Sequence, residues 1–180
     1  MITFITGNKN KFSEVQAVLG DEVEMHYIDL PEIQSLDPKE VIESKLIEAR
    51  KHIKTGAILV DDTGCNFNFF GKLPGVYSKY FLKELGLQKM FNILEKFSDN
   101  SATLYTYLGY MDEAGNIEYF YGSTYGVIVS SRGENGFGYD PIFMPNGSEK
   151  TNAEMNEEEL KIYKPRAKAT KLLKEFLENK

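Results

Sequence analysis

Ile2-Thr3-Phe4-Ile5-Thr6-Gly7-Asn8-Lys9-Asn10-Lys11 opens the chain with a strand signal that turns, through a glycine, into a helix signal. Ile2 to Thr6 is apolar and β-branched, and Lys11 to Leu19 reads as a short helix. The alternation then repeats. Val23 to Ile28 is a second strand, and Pro38 to His52 a helix with Ile42, Leu46, Ala49 and Ile53 at i, i+4, i+7 and i+11. Asp37 supplies its cap and Pro38 its first turn. Ala57 to Val60 is a strand expected to stop at Asp61-Asp62, and Val76 to Phe97 reads as two helices broken at Gly86. From Ser101 the pattern changes. Thr103 to Met111 and Ile117 to Ser131 are long, aromatic and β-branched, and Asp112-Glu113-Ala114-Gly115-Asn116 between them signals a hairpin. Ala169, Leu172, Leu173 and Phe176 share one face of a last helix. Together these imply an α/β fold with a mixed sheet, helices on its faces and a long hairpin.

With 180 residues the chain makes one large domain or two small lobes, able to bury roughly 70% of its unfolded surface. A net charge of −6 disfavours a broad electrostatic hold on nucleic acid, so any phosphate site must be a local cluster of Lys or Arg. The single cysteine, Cys65, excludes an intramolecular disulfide and a cysteine metal cluster. The apolar start is too short for a signal peptide and no run reaches membrane-spanning length, so the chain reads as cytoplasmic. His26 and His52 read as surface or satisfied structural residues rather than ligands, because metal sites need clusters.

Four segments carry candidate chemistry. Gly136-Phe137-Gly138-Tyr139-Asp140-Pro141-Ile142-Phe143 sets an aromatic ring between two glycines beside a carboxylate. Such a ring can stack on a flat ligand such as a nucleobase, worth roughly 1–3 kcal/mol, or the segment is a tight turn with one core aromatic. Thr6 to Lys11 places a glycine, two lysines and a helix start together, which suits an anion, although it lacks P-loop spacing and also fits a solvated helix N-terminus. Asp61-Asp62-Thr63-Gly64 follows a buried strand, and Glu32 follows Leu30-Pro31 at the end of the second strand. Adjacent strand residues point to opposite faces, so at most one of the two aspartates enters a given site. A carboxylate there could hold Mg²⁺ or take a proton from water, or simply lead into a turn. Lys45 and Lys79 complete the set, each otherwise an ordinary surface charge.

These segments, taken in order, resemble the inosine triphosphate pyrophosphatase family, which hydrolyses non-standard purine nucleoside triphosphates such as ITP, dITP and XTP. The matching stretches are TGNKNK at 6–11, LPEIQ at 30–34, DDTG at 61–64, LPGVYSKYF at 73–81, GFGYDPIF at 136–143 and NAEM at 152–155. The resemblance implies a single two-lobed domain over 1–180, an elongated mixed sheet flanked by helices with a central substrate cleft, working as a homodimer with Mg²⁺. It also implies the roles. Thr6, Gly7, Asn8, Lys9, Asn10 and Lys11 look like a phosphate loop, Lys45 and Lys79 like lysines near the triphosphate, and Thr63 like a substrate contact. Glu32 resembles a Mg²⁺ ligand, and Asp62 a carboxylate that serves the metal and activates water. Phe137, Gly138, Tyr139 and Asp140 match a base-binding segment, and Arg166 an arginine at the base edge.

One segment departs from the family. The family has Ser-His-Arg near the last helix and a lysine six residues before the arginine. Here those positions read Lys164-Pro165-Arg166, with Leu160 where the lysine belongs and Lys161 one residue off the register. A helix turns about 100° per residue, so that shift changes the face. Pro165 has no N–H to offer and suits a first helical turn. Three expectations follow: a pyrophosphatase selective for deaminated purines, one with relaxed base choice, or a nucleotide binder without turnover.

Overall fold

In the computed structural model, which describes Met1–Lys180, the opening segment forms strand β1 (Ile2–Ile5) and helix α1 (Lys9–Leu19). Strand β2 (Val23–His26) follows, then α2 (Pro38–His52), β3 (Ala57–Phe67), β4 (Pro74–Gly75), α3 (Ser78–Leu94), β5 (Ser101–Met111), β6 (Ile117–Ile128), β7 (Phe143–Pro145), α4 (Glu157–Tyr163) and α5 (Pro165–Glu178). The strands make one seven-stranded sheet in the order β2-β1-β3-β5-β6-β7, with β4 on β3. The pairs β1–β2 and β1–β3 are parallel, and β3–β4 and β6–β7 antiparallel, so the sheet is mixed.

The chain divides into two compact units. The first comprises Met1–Asp62, Thr106–Gly122 and Arg166–Lys180. Strand alternation gives it two cores. Phe4, Leu59, Leu108 and Phe120 pack with Val15 and Leu19 of α1 and Ala169 and Leu173 of α5. Ile58 and Val60, one residue either side of Leu59, pack instead with Ile42, Leu46 and Ala49 of α2. The apolar stripe read on α2 is thus the buried one. Helix α2 lies so close to β5 that a Cβ on Gly109 would fall 2.2 Å from Ile42.

The second unit comprises Thr63–Tyr105 and Ser123–Pro165. Its core joins Cys65 and Phe67 of β3, Met90 and Leu94 of α3, Ala102 and Leu104 of β5, and Ile128 with Tyr139, Ile142 and Phe143.

One expectation needs correction and one element was unforeseen. Strand β3 does not stop at the aspartates but runs on to Phe67. The Asp-Asp-Thr-Gly composition looks like a turn, yet Asp61 is neutralised by distant cations and Gly64 lets β4 approach, its Cβ position lying 2.4 Å from the Gly75 carbonyl. The last helix starts at Pro165, in keeping with that proline's suitability for a first helical turn, and its apolar face begins at Ala169. Helix α4 was missed, although Asn156 and Glu159 form a reciprocal capping box at its start. The break at Gly86 is present within α3, where that residue takes φ 71° and ψ 165°.

Candidate active site

Within the first unit, α1, α2, β3 and α5 bring charged side chains onto the two aspartates of β3. Lys11 of α1 donates to Asp61 Oδ1 at 3.0 Å, and Arg166 of α5 donates Nε and Nη2 to Oδ2 at 3.2 and 3.0 Å. Arg166 also pairs with Glu14 of α1. Lys45 of α2 lies 2.6 Å from Glu32 and donates to the Asp61 backbone carbonyl at 3.2 Å. Three cations therefore meet four carboxylates: Glu14, Glu32, Asp61 and Asp62.

The two aspartates are electrostatic opposites. Burial alone would raise the pKa of Asp61, but Lys11, Arg166 and Lys45 outweigh it and hold the group well below the usual carboxylate range. Asp62 is nearly as buried and has no such clamp. Burial, aided by Asp61 and Glu32 against Lys45 and Lys11, pushes it up to about 6. Its Oδ2 is buried without a hydrogen-bond partner. For Lys45 burial acts downward, and the surrounding carboxylates more than reverse it, so it stays charged. A basic carboxylate with an unused oxygen, flanked by cations, is chemically suited to take a proton from water.

The Thr6–Lys11 segment is built by local hydrogen bonds. Asn8 caps α1 by accepting from the Asn10 and Lys11 N–H groups, and its own N–H goes to Thr6 Oγ1 at 3.1 Å. Gly7 is required by Tyr27, whose ring lies 2.8 Å from the place a Cβ would take. Lys9 and Asn10 are exposed.

Within the second unit, Asp140 organises the Gly136–Asp140 loop. Its Oδ2 accepts from the Phe137 N–H at 2.9 Å and from Lys164 at 2.9 Å, and its Oδ1 accepts from the Asn152 amide at 3.0 Å. Gly136, at φ 80°, leaves room for that carboxylate, which lies 2.4 Å from its Cβ position. The loop holds Phe137 half-buried, with the Lys164 ammonium 5.0 Å from its ring centroid. Tyr139 faces the other way, into the core, edge-on to Phe67 and donating to the Ser78 carbonyl. Gly138 is exposed, Lys79 is exposed in the first turn of α3, and Thr63 is half-buried on β3.

The sequence-derived residues thus fall into two groups, Thr6–Lys11, Glu32, Lys45, Asp62 and Arg166 in the first unit and Thr63, Lys79 and Phe137–Asp140 in the second. Four of them take structural duties here: Asn8 caps a helix, Tyr139 packs in a core, Asp140 clasps a loop, and Arg166 sits in a buried ion-pair network.

The Ham1 family model matches residues 2–176. The chain belongs to the Ham1 family. It is 40% identical to the inosine triphosphate pyrophosphatase of Candida glabrata, over 98% of this chain and 96% of the relative. It is 38% identical to the protein of the same name from Kluyveromyces lactis, over 99% and 96%. Among solved structures it is similar to the Staphylococcus aureus Ham1 protein, with TM-score 0.84 and 26% identity across 99% of this chain and 98% of that one.

Sequence reasoning missed several residues of this Ham1 chain. Glu14 was not singled out, and Asp61 was named beside Asp62 but given no role, although it anchors both Lys11 and Arg166. Asn152 lay in a matched stretch without a role, and Lys164 was counted only as a departure. No local pattern announces these partnerships, because Arg166 and Asp61 stand 105 positions apart.

Proposed function

We propose that this protein hydrolyses non-standard purine nucleoside triphosphates, among them ITP, dITP and XTP, to the monophosphate and pyrophosphate with Mg²⁺. One observation carries the reading: a buried Asp62 with an unpartnered oxygen and a pKa raised to about 6, set among lysines. A binder has no need of a water-activating carboxylate held in that state.

No group of three or more His, Cys, Asp or Glu is arranged for a metal. Mg²⁺ does not require one, since it binds through one or two carboxylates together with waters and substrate phosphates. Glu32 and Asp62 supply hard oxygen donors, and the unpartnered Asp62 Oδ2 fits that use. The metal, when bound, would neutralise charge on the phosphates. Lys11 and Lys45 would exchange part of their pairing with carboxylates for the triphosphate oxygens. One lysine at 4 Å offsets roughly 4 kcal/mol at an effective dielectric near 20, before desolvation. Asp62 accepts a proton from the attacking water, and the lysines stabilise the departing pyrophosphate. Phe137 offers a face to the base.

No helix is long and apolar enough to cross a membrane. A free-nucleotide hydrolase of this kind belongs in the cytoplasm, and we take it to work as a homodimer, for which a solution mass twice 20.5 kDa is the test. The deciding experiment is pyrophosphate release from ITP, XTP, GTP, ATP and dUTP with Mg²⁺ and with EDTA. Mg²⁺-dependent release from ITP and XTP ahead of ATP is expected, and no release from any of them would sink the reading. A second reading, relaxed base choice, is favoured by Pro165, which opens α5 without an N–H.

A further inference from the structure

Resting on the pyrophosphatase reading, we propose that Tyr27 is a positioning residue for the triphosphate: its ring, laid on Gly7, aims a backbone N–H of the 6–11 loop at the phosphates. The loop spends most of its backbone donors on itself. The Thr6 N–H goes to the His26 carbonyl at 3.0 Å, and the Asn8 N–H to Thr6 Oγ1 at 3.1 Å. Those of Asn10 and Lys11 both go to Asn8 Oδ1, at 2.9 and 3.3 Å. Gly7 and Lys9 keep backbone N–H groups that nothing in the chain accepts. Lys9 is the first residue of α1, so the helix fixes its N–H. Gly7 lies before the helix, and a glycine there is open to many backbone conformations.

Tyr27 narrows that freedom. The parallel register of β1 and β2 sets Ile5 beside His26, so Tyr27 comes level with Thr6 and Gly7. Its ring carbons Cδ2 and Cε2 lie 2.8 and 2.9 Å from the place a Gly7 Cβ would take, so one ring edge rests on the glycine itself. Gly7 does not have a positive φ, so its backbone would accept alanine and the ring alone demands glycine. The Tyr27 side chain is 67% exposed and contributes little to any core. A ring in that position serves the loop it covers rather than the packing of the unit.

The chemistry follows from how hydrogen bonds depend on direction. A phosphate oxygen is a charged acceptor, and an N–H donated to it weakens steeply once the angle departs from linear. A hydrogen bond to a charged group corresponds to roughly 10- to 100-fold in affinity, most of which a misaimed donor forfeits. Holding Gly7 in place before the ligand arrives also avoids the cost of ordering the loop on binding. A donor aimed at the phosphates acts on bound substrate and on the transition state alike. Its loss is therefore read in KM and leaves kcat nearly unchanged.

The test measures kcat and KM for ITP, together with calorimetric affinity for inorganic tripolyphosphate, which carries the phosphates without base or sugar. Tyr27→Ala is expected to raise KM and weaken tripolyphosphate by the same factor, roughly 10-fold, with kcat within about threefold. Its melting temperature should stay within about 2 °C of wild type, as for an exposed substitution. Tyr27→Phe keeps the ring edge on Gly7 and should restore wild-type values. Gly7→Ala sets a methyl where the ring lies and should cost roughly 10-fold alone, but under about threefold when added to Tyr27→Ala. Losses from the two substitutions that simply multiply would overturn the inference. So would a Tyr27→Phe as poor as Tyr27→Ala, a loss confined to kcat, or a wild type that does not bind tripolyphosphate. If wild type releases no pyrophosphate from ITP, the pyrophosphatase reading fails separately. The tripolyphosphate affinities of wild type, Tyr27→Ala and Tyr27→Phe then still decide the role of Tyr27.

Discussion

Asp62 carries opposite consequences for catalysis and for stability. Its pKa is about 6 in the folded protein against an ordinary 3.8. Between those values the folded chain holds more of a proton than the unfolded one, so stability falls as pH rises through that window and the deficit is complete above it. The shift corresponds to about 3 kcal/mol. In metal-free buffer, Asp62→Asn is therefore expected to melt about 6–12 °C above wild type at pH 8 and alongside it near pH 4. The same variant should lose turnover by roughly 10²–10⁴-fold while keeping nucleotide affinity within an order of magnitude. A melting difference independent of pH would refute the titration argument. Asp61 behaves in the reverse sense. Its depressed pKa contributes stability that is present above the ordinary carboxylate value and lost as pH falls below it. Arg166→Met strands Asp61 and Glu14 in a buried place and should cost about 3–5 kcal/mol in urea unfolding at pH 7. That loss should narrow in acid, as Asp61 protonates.

Strand β3 and helix α3 each contain a glycine, and the two should respond differently to substitution. A Cβ on Gly64 would lie 2.4 Å from the Gly75 carbonyl and 2.5 Å from the Tyr105 hydroxyl, so β4 or Tyr105 must move. Gly64→Ala is expected to cost at least about 1–3 kcal/mol. Gly86 has nothing within 4 Å of its Cβ position, and its cost comes only from φ 71°. Gly86→Ala should cost roughly 1–2 kcal/mol. Denaturant midpoints of the two variants check the ordering. The same elements mark what could be read from sequence. Helix α2 was legible to the residue because its stripe, its Asp37 cap and Pro38 agree with one another. The end of β3 was not, since the pairing that keeps Asp61 in a strand comes from Lys11 and Arg166 across long loops of chain. The Gly136–Asp140 motif was legible as a ring beside a carboxylate. That the carboxylate turns inward to hold the ring's own N–H depends on Asn152 and Lys164, which nothing local reveals.

Each unit owns a core, yet β3, β5 and β6 each supply residues to both. The sequence showed a single run of α/β signals without a linker, which is consistent with strands that pass from one unit into the other. A chain so divided has no cut at which one unit could be released with its own complete set of strands, and the cores named above both draw on β3 and β5. Unfolding is therefore expected as one cooperative transition rather than two. Leu46→Ala removes a fully buried side chain from the first unit and Leu94→Ala one from the second. Each should cost about 2–5 kcal/mol. Each should move the whole melting transition down by roughly 4–20 °C, by far-ultraviolet and near-ultraviolet dichroism alike. Two resolved transitions, with each variant shifting only its own, would mean instead that the shared strands can part between units. A single transition requires that losing either core abolishes the Asp61 ion pairs and the Asp140 clasp together.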